Sequence, residues 1–329
     1  MRRRDFIKVI GSTMAAWPLA ARAQQPDRVR RVGALWGLAE DDPEMKARVA
    51  EFRRGLEQLG WLENVNIRTD ERFVAGRADQ LPPLAKELVA LQPDVIVAQS
   101  TPVAVALQRE THTIPIVFVA VSDPIGSGLI TSLARPGQNL TGVLFFEDGI
   151  TGKWLAMLKE IAPRLGRAAF VANPAGTAYD YFLRSAKAAA SSLAIELVPS
   201  PVTNADDTQH AIEAFARVPN GGLILPPDNT TIGLRDLVIA LAARHRLPAV
   251  YAYRSFVVAG GLMAYGTDPV HQYRQVAFYV DRILRGANPA DLPVQTPTKY
   301  DTAINLKTAK ALGLDVPPTL LARSDEVIE

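Results

Sequence analysis

The sequence predicts an α/β protein built from two doubly wound lobes, each with a parallel β-sheet at its centre. Short apolar runs alternate with segments of helical periodicity, which is the pattern of parallel βαβ units with right-handed crossovers. Several runs are continuously apolar, as expected for strands that are buried on both faces of a sheet. Five runs precede about residue 146 and five follow it, so two lobes of similar size fit the chain.

Ten strands are predicted from these runs. Those of the first half are residues 29–37, 65–73, 94–100, 114–121 and 140–146. Those of the second half are residues 168–173, 195–202, 222–226, 249–253 and 262–265.

Two of the intervening segments show the apolar spacing of a helix most clearly, with steps of three and four residues. The first is formed by Met45, Val49, Phe52, Leu56 and Leu59. The second is formed by Val270, Tyr273, Ala277, Val280 and Leu284. Each set is expected to lie on one buried helix face.

Length, composition and charge exclude several classes of protein. The chain has 329 residues, of which 48% are hydrophobic and 21% charged, so it is neither disordered, fibrous nor a polytopic membrane protein. A chain of this length usually forms two domains. Its net charge is +2, and residues 1–23 alone carry +4, so the remainder is close to neutral. The chain after residue 23 has no long stretch rich in basic residues, which argues against nucleic acid as a partner.

Residues 1–23 are predicted to be an export signal. Basic residues 2–4 precede an apolar stretch at 9–20 and an A-x-A sequence at 21–23, which together make a secretory signal peptide. The paired arginines before Asp5-Phe6-Ile7-Lys8 resemble the twin-arginine signal. An amphipathic helix of a cytosolic protein is the alternative. We expect cleavage near Ala23 and no stable membrane insertion of the mature chain, since no other apolar run approaches 18 residues.

The motifs of several kinds of chemistry are missing from the sequence. There is no cysteine, so disulfides, thiolate metal sites and cysteine nucleophiles are excluded. The four histidines, His112, His210, His245 and His271, do not have the spacing of metal ligands on a helix. Gly126-Ser127-Gly128 lacks the third glycine and the position of a dinucleotide fingerprint. We therefore predict no catalytic residue, no metal site and no cofactor.

A candidate binding site is formed by polar and aromatic residues at the carboxyl ends of the predicted strands. Ligands of open α/β sheets bind outside these ends. The residues that stand there in the two halves are Trp36, Ser100, Thr101, Asp123, Phe145, Asn173, Asp228, Asn229, Tyr253 and Tyr265.

The residue types at these positions suit a small organic ligand. The hydroxyls and helix N-terminus at Ser100 and Thr101 suit a carboxylate. Asp228 or Asp123 suits an ammonium or hydroxyl group, whereas Trp36, Tyr253 and Phe145 offer flat apolar surface. The alternative for Thr101, Asp123 and Asp228 is that each merely caps a helix that begins at the next residue.

Three stretches resemble a known family. They are DVIVAQSTPVAVALQ (94–108), IPIVFVAVSDPIGSGLITSLARPGQNLTGV (114–143) and ILPPDNT (224–230), and the C-terminal residues 304–329 are also similar. The family is that of ABC-transporter substrate-binding proteins, which includes tryptophan- and tyrosine-binding members. The resemblance covers nearly the whole mature chain.

The resemblance implies a type I periplasmic-binding fold, with two lobes joined by a hinge of three crossovers and a ligand in the cleft between them. Residues 29–143 and 268–290 would form the first lobe, and residues 144–267 and 291–329 the second. The twin-arginine leader has no lipobox cysteine, which points to a Gram-negative periplasm rather than a tethered lipoprotein. The expected partners are a small-molecule ligand and an ABC permease of the inner membrane.

Three functions are compatible with these observations. The first is an exported solute-binding component of an ABC importer that binds an amino acid or an aromatic or apolar carboxylate. The second is an exported α/β enzyme with a cofactor, because twin-arginine leaders often accompany folded, cofactor-bearing proteins. The third is a binding protein that reports its ligand to a membrane receptor. The missing catalytic motifs favour the first, and the chain is not expected to be an enzyme.

Overall fold

Two β-sheets form the centres of two lobes in the computed structural model, which describes residues 28–147 and 149–329. The predicted export signal of residues 1–23 lies outside the described residues. In the described ranges one sheet has five strands and the other has seven.

The first lobe is built on the five-stranded sheet, whose strand order is β2-β1-β3-β4-β5 and whose strands are all parallel. Its elements in this part of the chain are β1 (Arg30–Trp36), α1 (Pro43–Gln58), β2 (Ile67–Phe73), α2 (Leu81–Ala90), β3 (Val95–Gln99), α3 (Thr101–Glu110), β4 (Ile116–Val121) and β5 (Leu140–Leu144). A short 3-10 helix, Ala78–Gln80, precedes α2.

The chain then enters the second lobe. Its elements there are α4 (Ile150–Ile161), β6 (Arg167–Ala172), α5 (Tyr179–Ser192), β7 (Glu196–Pro201), α6 (Ala205–Ala216), β8 (Gly221–Leu225), α7 (Asn229–Gly233), α8 (Arg235–Arg244), β9 (Ala249–Tyr251), α9 (Arg254–Val258) and β10 (Met263–Gly266).

The C-terminal part of the chain crosses between the lobes twice more. Helix α10 (Pro269–Leu284) returns to the first lobe, where it packs against α1 and the sheet. A 3-10 helix (Pro289–Asp291) follows, and the remaining elements are β11 (Asp301–Asn305), α11 (Leu306–Leu312), α12 (Pro318–Leu321) and β12 (Glu326–Ile328). The second sheet therefore has the order β12-β11-β10-β9-β8-β6-β7.

Helices cover both faces of the first sheet, which explains why its strands are apolar throughout. Trp36 and its strand neighbours on one face pack against α1 and α10. Leu35 and its neighbours on the other face pack against α2 and α3. The ends of α1 and α10 are defined by similar local signals. Asp42 and Asp268 accept hydrogen bonds from the first-turn amides, and a proline occupies the first helical position of each.

The predicted fold class is confirmed, with one difference in the second sheet. All ten predicted strands are present with ends that agree to within two residues. The sequence analysis missed β11 and β12, and β11 runs antiparallel to β10, so this sheet is not entirely parallel. Both predicted helices are present, although Val270 is 36% exposed rather than buried.

The predicted division of the chain into lobes stays a prediction. The hydrogen bonds of residues 292–295 do not follow the lobe boundary that was predicted at residue 291. Residues 292–295 lie beside β5: Thr141 Oγ1 donates to the Leu292 carbonyl, and the Leu144 amide donates to the Gln295 carbonyl. The prediction assigned everything from residue 291 to the second lobe. The reason for the difference is that β5 leaves an open sheet edge, which this segment covers.

Candidate functional site

A narrow cleft with a free volume of only about 10 Å³ lies where the carboxyl ends of the two sheets face each other. Its walls are mostly small or aliphatic. From the first lobe they are Gly37, Val74, Gly76, Ala78, Leu81, Ser100, Pro102 and Val103, and from the second lobe Ala175, Gly176 and Asn229. This is the place that the sequence analysis predicted for a ligand, at the carboxyl edge of parallel strands.

Ser100 combines a strained backbone with a buried hydroxyl at the end of β3. Its φ and ψ are 89° and 157°, a region that is nearly restricted to glycine. It is the N-cap residue of α3, yet its side chain caps no amide and its Oγ has no hydrogen-bond partner among the described residues. Backbone strain and an unpaired buried hydroxyl at one residue are typical of a functional position.

Thr101 has a structural role that the sequence analysis did not predict. Its Oγ1 donates to the Ser122 carbonyl and accepts from the Ser122 amide, both at 3.0 Å, so it ties β3 to the end of β4. The prediction that Thr101 caps a helix beginning at Pro102 is wrong, because α3 begins at Thr101 itself.

Asp123 closes a turn rather than starting a helix. Its Oδ1 accepts from the Gly126 amide at 2.8 Å, and its own φ is 51°. The prediction of a helix that begins at Pro124 is therefore wrong; residues 124–128 form turns. Asp123 Oδ2 lies 4.0 Å from Arg184 Nη2 of the second lobe, which places it at the rim of the cleft.

Asp228 is the buried acid of the second lobe and caps α7. Its Oδ1 accepts from the Thr231 amide at 2.7 Å, and its Oδ2 accepts from the Asn173 amide at 3.2 Å. Burial raises the pKa of Asp228 to about 6, because desolvation outweighs these hydrogen bonds. Asn173 is fixed by Thr230, whose Oγ1 accepts from Asn173 Nδ2 at 2.9 Å.

Gly176 separates Asp228 from the cleft. A Cβ at this glycine would lie 2.6 Å from Asp228 Oδ2, so any larger residue would collide with the carboxylate. Because Gly176 also lines the cleft, only its backbone lies between the Asp228 carboxylate and the cleft. The structure thus brings Asn173, Asp228 and Asn229 to the second-lobe side of the cleft.

The two lobes touch across the cleft through Gly37, Gln99 and Asn229. Gln99 Nε2 donates to Asn229 Oδ1 at 3.1 Å, while Gln99 Oε1 accepts from the Gly37 amide at 2.5 Å. A Cβ at Gly37 would lie 2.1 Å from Asn229 Nδ2, so only glycine allows this approach. Gln99 and Asn229 are almost completely buried by the contact.

The predicted aromatic residues lie beside the cleft rather than in its walls. Trp36 has no exposed surface; it packs in the first-lobe core against Phe52 and Tyr273, and its Nε1 donates to Glu71. Phe145 and Tyr253 are buried against each other, with ring centroids 5.2 Å apart. These three rings support the strand ends around the cleft.

Tyr265 belongs to the hinge. Its ring is stacked on Tyr300, its hydroxyl accepts from Lys153 Nζ at 3.0 Å, and its carbonyl accepts from Trp154 Nε1 at 2.7 Å. These partners lie on the crossover segments and on α4, so the structure does not bring Tyr265 to the cleft.

Several interlobe residues were missed by the sequence analysis. Gly37, Gly76 and Gly176 could have been recognised as places of close backbone approach after strands. Glu44, Arg48 and Arg235 form a charged cluster between α1 and α8. Glu44 and Arg48 could have been recognised in the sequence as a charge pair at i, i+4 next to the apolar face of α1. In the described ranges, no group of three or more acidic or histidine side chains is arranged to hold a metal ion.

The chain matches the model of one protein family, ABC transporter substrate binding protein, over residues 39–328. It belongs to this family. The resemblance seen in the sequence is therefore confirmed, and the protein is a substrate-binding protein of an ABC transporter. Such proteins bind solutes rather than convert them, which agrees with the expectation that the chain is not an enzyme.

Three relatives of this substrate-binding protein are informative. It is 26% identical over 263 residues to the Tyrosine-binding protein of Clostridioides difficile (strain R20291), which covers 80% of this chain and 75% of the relative. It superposes on a Streptococcus pneumonia ABC domain in complex with L-Trp, with TM-score 0.84, 23% identity and coverage of 91% and 99%. It also superposes on a ligand-free, open substrate binding protein with adhesive properties from Clostridium difficile, with TM-score 0.64, 26% identity and coverage of 91% and 99%.

Among the helices of residues 28–147 and 149–329, none is both long enough and apolar enough to cross a bilayer.

Proposed function

We propose that this substrate-binding protein is exported, binds an amino acid with an apolar or aromatic side chain in the interlobe cleft, and presents it to an ABC permease for import. The observation that carries the proposal is the pairing of opposite groups across the cleft. An unpaired hydroxyl at a helix N-terminus faces it from the first lobe, and a buried acid lies behind its wall in the second lobe.

The first-lobe side suits the ligand carboxylate. The Ser100 hydroxyl has no partner within the described residues, so it is free to donate to a carboxylate oxygen. The backbone amides of Thr101 and the next residues with an N–H begin the ten-residue helix α3, whose N-terminus favours negative charge. Thr101 therefore contributes through its backbone, since its hydroxyl is held by Ser122.

The second-lobe side suits the ligand ammonium. Asp228 supplies the negative charge on this side; the side-chain oxygens of Asn173 and Asn229 already accept from the Ala175 amide and from Gln99 Nε2. The glycine at 176 leaves only a thin wall between the carboxylate and the cleft. Asp123, at the rim, is a second acidic group on the path into the cleft.

The apolar walls suit the ligand side chain. Val74, Leu81 and Val103 present aliphatic surface to the cleft, whereas Trp36, Phe145 and Tyr253 lie buried beside it. The free volume of about 10 Å³ holds at most about one water molecule, far less than a ligand pocket, so the lobes must separate to admit a ligand and adjust around it.

The relatives support this proposal. One is named for tyrosine binding and one structure holds L-Trp. The higher TM-score to the L-Trp complex than to the open, ligand-free structure supports a closed lobe arrangement in this protein. A ligand that binds the closed arrangement better than the open one shifts the equilibrium between them, and the closed form is what a permease would recognise. The twin-arginine sequence at residues 2–8 supports export to the periplasm.

Isothermal titration calorimetry of the chain from Gln24 onwards tests the ligand assignment. L-Tyrosine and L-tryptophan are compared with tyramine and tryptamine, which lack the carboxylate, and with the corresponding aryl propionates, which lack the ammonium. We expect binding of the amino acids and a loss of at least about tenfold in affinity for either truncated series, since each lost charged hydrogen bond is worth about 1.5–3 kcal/mol. Binding of an amine or an acid alone as tightly as the amino acid would refute the two-sided site.

A further inference from the structure

Glu44 connects the two lobes at a place outside the cleft. Its Oε2 accepts from Arg48 Nη2 of the same helix, α1, at 2.5 Å. Its Oε1 accepts from Arg235 Nη1 of α8, in the second lobe, at 2.9 Å. One carboxylate thus pairs with an arginine of its own lobe and with an arginine of the other.

The surroundings show that these contacts depend on the lobe arrangement. The Arg48 side chain is only 2% exposed, and its guanidinium lies 5.2 Å from the centroid of the Tyr253 ring, which belongs to the second lobe. The side chains of Glu44 and Arg235 are 15% and 18% exposed. Separation of the lobes would remove Tyr253 and Arg235 from α1 and would leave the Glu44–Arg48 pair in water.

The charges around the pair favour this contact over alternatives. Arg235 makes its one side-chain hydrogen bond within the described residues to Glu44, and its Nε has no hydrogen-bond partner there. The other acid near it, Asp236, is 90% exposed and lies 3.7 Å from Nε. A partly buried, hydrogen-bonded pair is screened less by salt than an exposed one, so it contributes more to the arrangement that contains it.

We propose that the Glu44–Arg235 ion pair is a positioning element for ligand binding, which stabilises the closed arrangement of the lobes without touching the ligand. None of Glu44, Arg48 and Arg235 lines the cleft. The inference rests on the proposed function in that closure and ligand binding are coupled. Because the pair forms in the closed arrangement alone, its removal lowers the closed population and weakens binding by the same factor, as population shift requires.

The test measures closure separately from binding. The chain has no cysteine, so Lys86→Cys on α2 and Lys187→Cys on α5, both exposed, place one spin label on each lobe. Distances between the labels are measured by pulsed electron resonance in the labelled parent, Arg235→Gln and Arg235→Lys. The matched control is Arg167→Gln, which removes an ion pair of similar length, Arg167–Glu196, within the second sheet. Affinity for L-tyrosine is measured on the same proteins.

We expect Arg235→Gln to shift the ligand-free distances to longer values and to raise the Kd by about 5- to 30-fold, the factor that corresponds to 1–2 kcal/mol. Arg235→Lys should restore part of both effects, and Arg167→Gln should change neither. In the Glu44→Gln background, Arg235→Gln should add little, since the contact is already lost. Unchanged distances in Arg235→Gln would overturn the inference. Longer distances without any binding of L-tyrosine would support it and count against the amino-acid proposal instead.

Discussion

The buried acid Asp228 gives the sharpest prediction for stability. Its pKa is raised to about 6 in the folded protein by desolvation, against 3.8 for the unperturbed group. A group whose pKa is raised by folding stabilises the protein fully below the unfolded value and loses that contribution as the pH rises through the folded value. Asp228 should therefore lower the free energy of unfolding between about pH 4 and somewhat above pH 6.

The magnitude follows from the shift. A difference of about two pKa units is worth about 3 kcal/mol over the whole window, and about 1.4 kcal/mol of this falls between pH 5 and pH 7.5. Asp228→Asn keeps an oxygen that can cap α7 and removes the titration. We expect the variant to lose stability less steeply than the parent, by about 1.4 kcal/mol, over this pH interval.

Urea unfolding at the two pH values measures this difference. Tryptophan fluorescence follows unfolding, and Trp154, which is buried in the second lobe that contains Asp228, contributes to it. Asp70→Asn is the matched control. The hydrogen bond from Arg31 holds the pKa of Asp70 below its usual value, so this group is ionised in both states throughout the interval. Parallel pH dependence of Asp228→Asn and the parent would refute the reasoning, because it would mean that the acid is already ionised or well solvated.

Two further predictions concern residues that form the cleft. Ser100→Gly should raise the free energy of unfolding by about 1 kcal/mol in urea titrations, because relief of roughly 2 kcal/mol of backbone strain exceeds the entropic penalty of about 1 kcal/mol for glycine. The lost hydroxyl should nevertheless weaken L-tyrosine binding about tenfold. Equal or lower stability of the variant would show that the φ of 89° at Ser100 is not strained. Gly37→Ala should destabilise the closed arrangement by about 1–3 kcal/mol and raise the Kd for L-tyrosine in calorimetry, because the new Cβ would lie 2.1 Å from Asn229 Nδ2. Gly166→Ala, whose Cβ would have no neighbour within 4 Å, should leave the Kd unchanged. An unchanged Kd for Gly37→Ala would refute this close approach of the lobes.

The strands could be predicted because their signal is local. A run such as Val95–Gln99 has four apolar residues, three of them β-branched, whatever surrounds it, and its flanking residues mark its ends. Strand β11 (Asp301–Asn305) lacks that signal, since only two of its five residues, Ala303 and Ile304, are apolar. It is a strand because it pairs antiparallel with β10, and its own sequence does not show this tertiary contact.

The candidate site was predictable in position and less so in the role of each residue. Strand ends locate the cleft, so Ser100 and Asn229 were found from sequence order alone. The direction in which each side chain points was harder to predict from the sequence. Trp36 also ends a strand, but it points away from Leu35 to the face covered by α1 and α10, where it belongs to the core. Arg48 was missed because nothing in a helix sequence shows that another lobe will cover it.

The contrast between the lobe cores and the seam between the lobes explains how a small ligand could control the protein. One apolar cluster fills the α2–α3 face of the first sheet, and another extends from the α1–α10 face of that sheet into the second lobe, so burial of apolar surface stabilises both lobes. The seam instead contains polar pairs, Gln99–Asn229, Glu44–Arg235 and, at the rim, Asp123–Arg184. On opening, each pair exchanges its partner for water, so its net contribution is small, about 1–2 kcal/mol for the buried or partly buried pairs and less for the exposed Asp123–Arg184 pair. Under the proposed function, a few such contacts would leave the open and closed arrangements nearly balanced, and a ligand that pairs with the free Ser100 hydroxyl and lies against the Gly176 wall in front of Asp228 would supply enough free energy to decide between them.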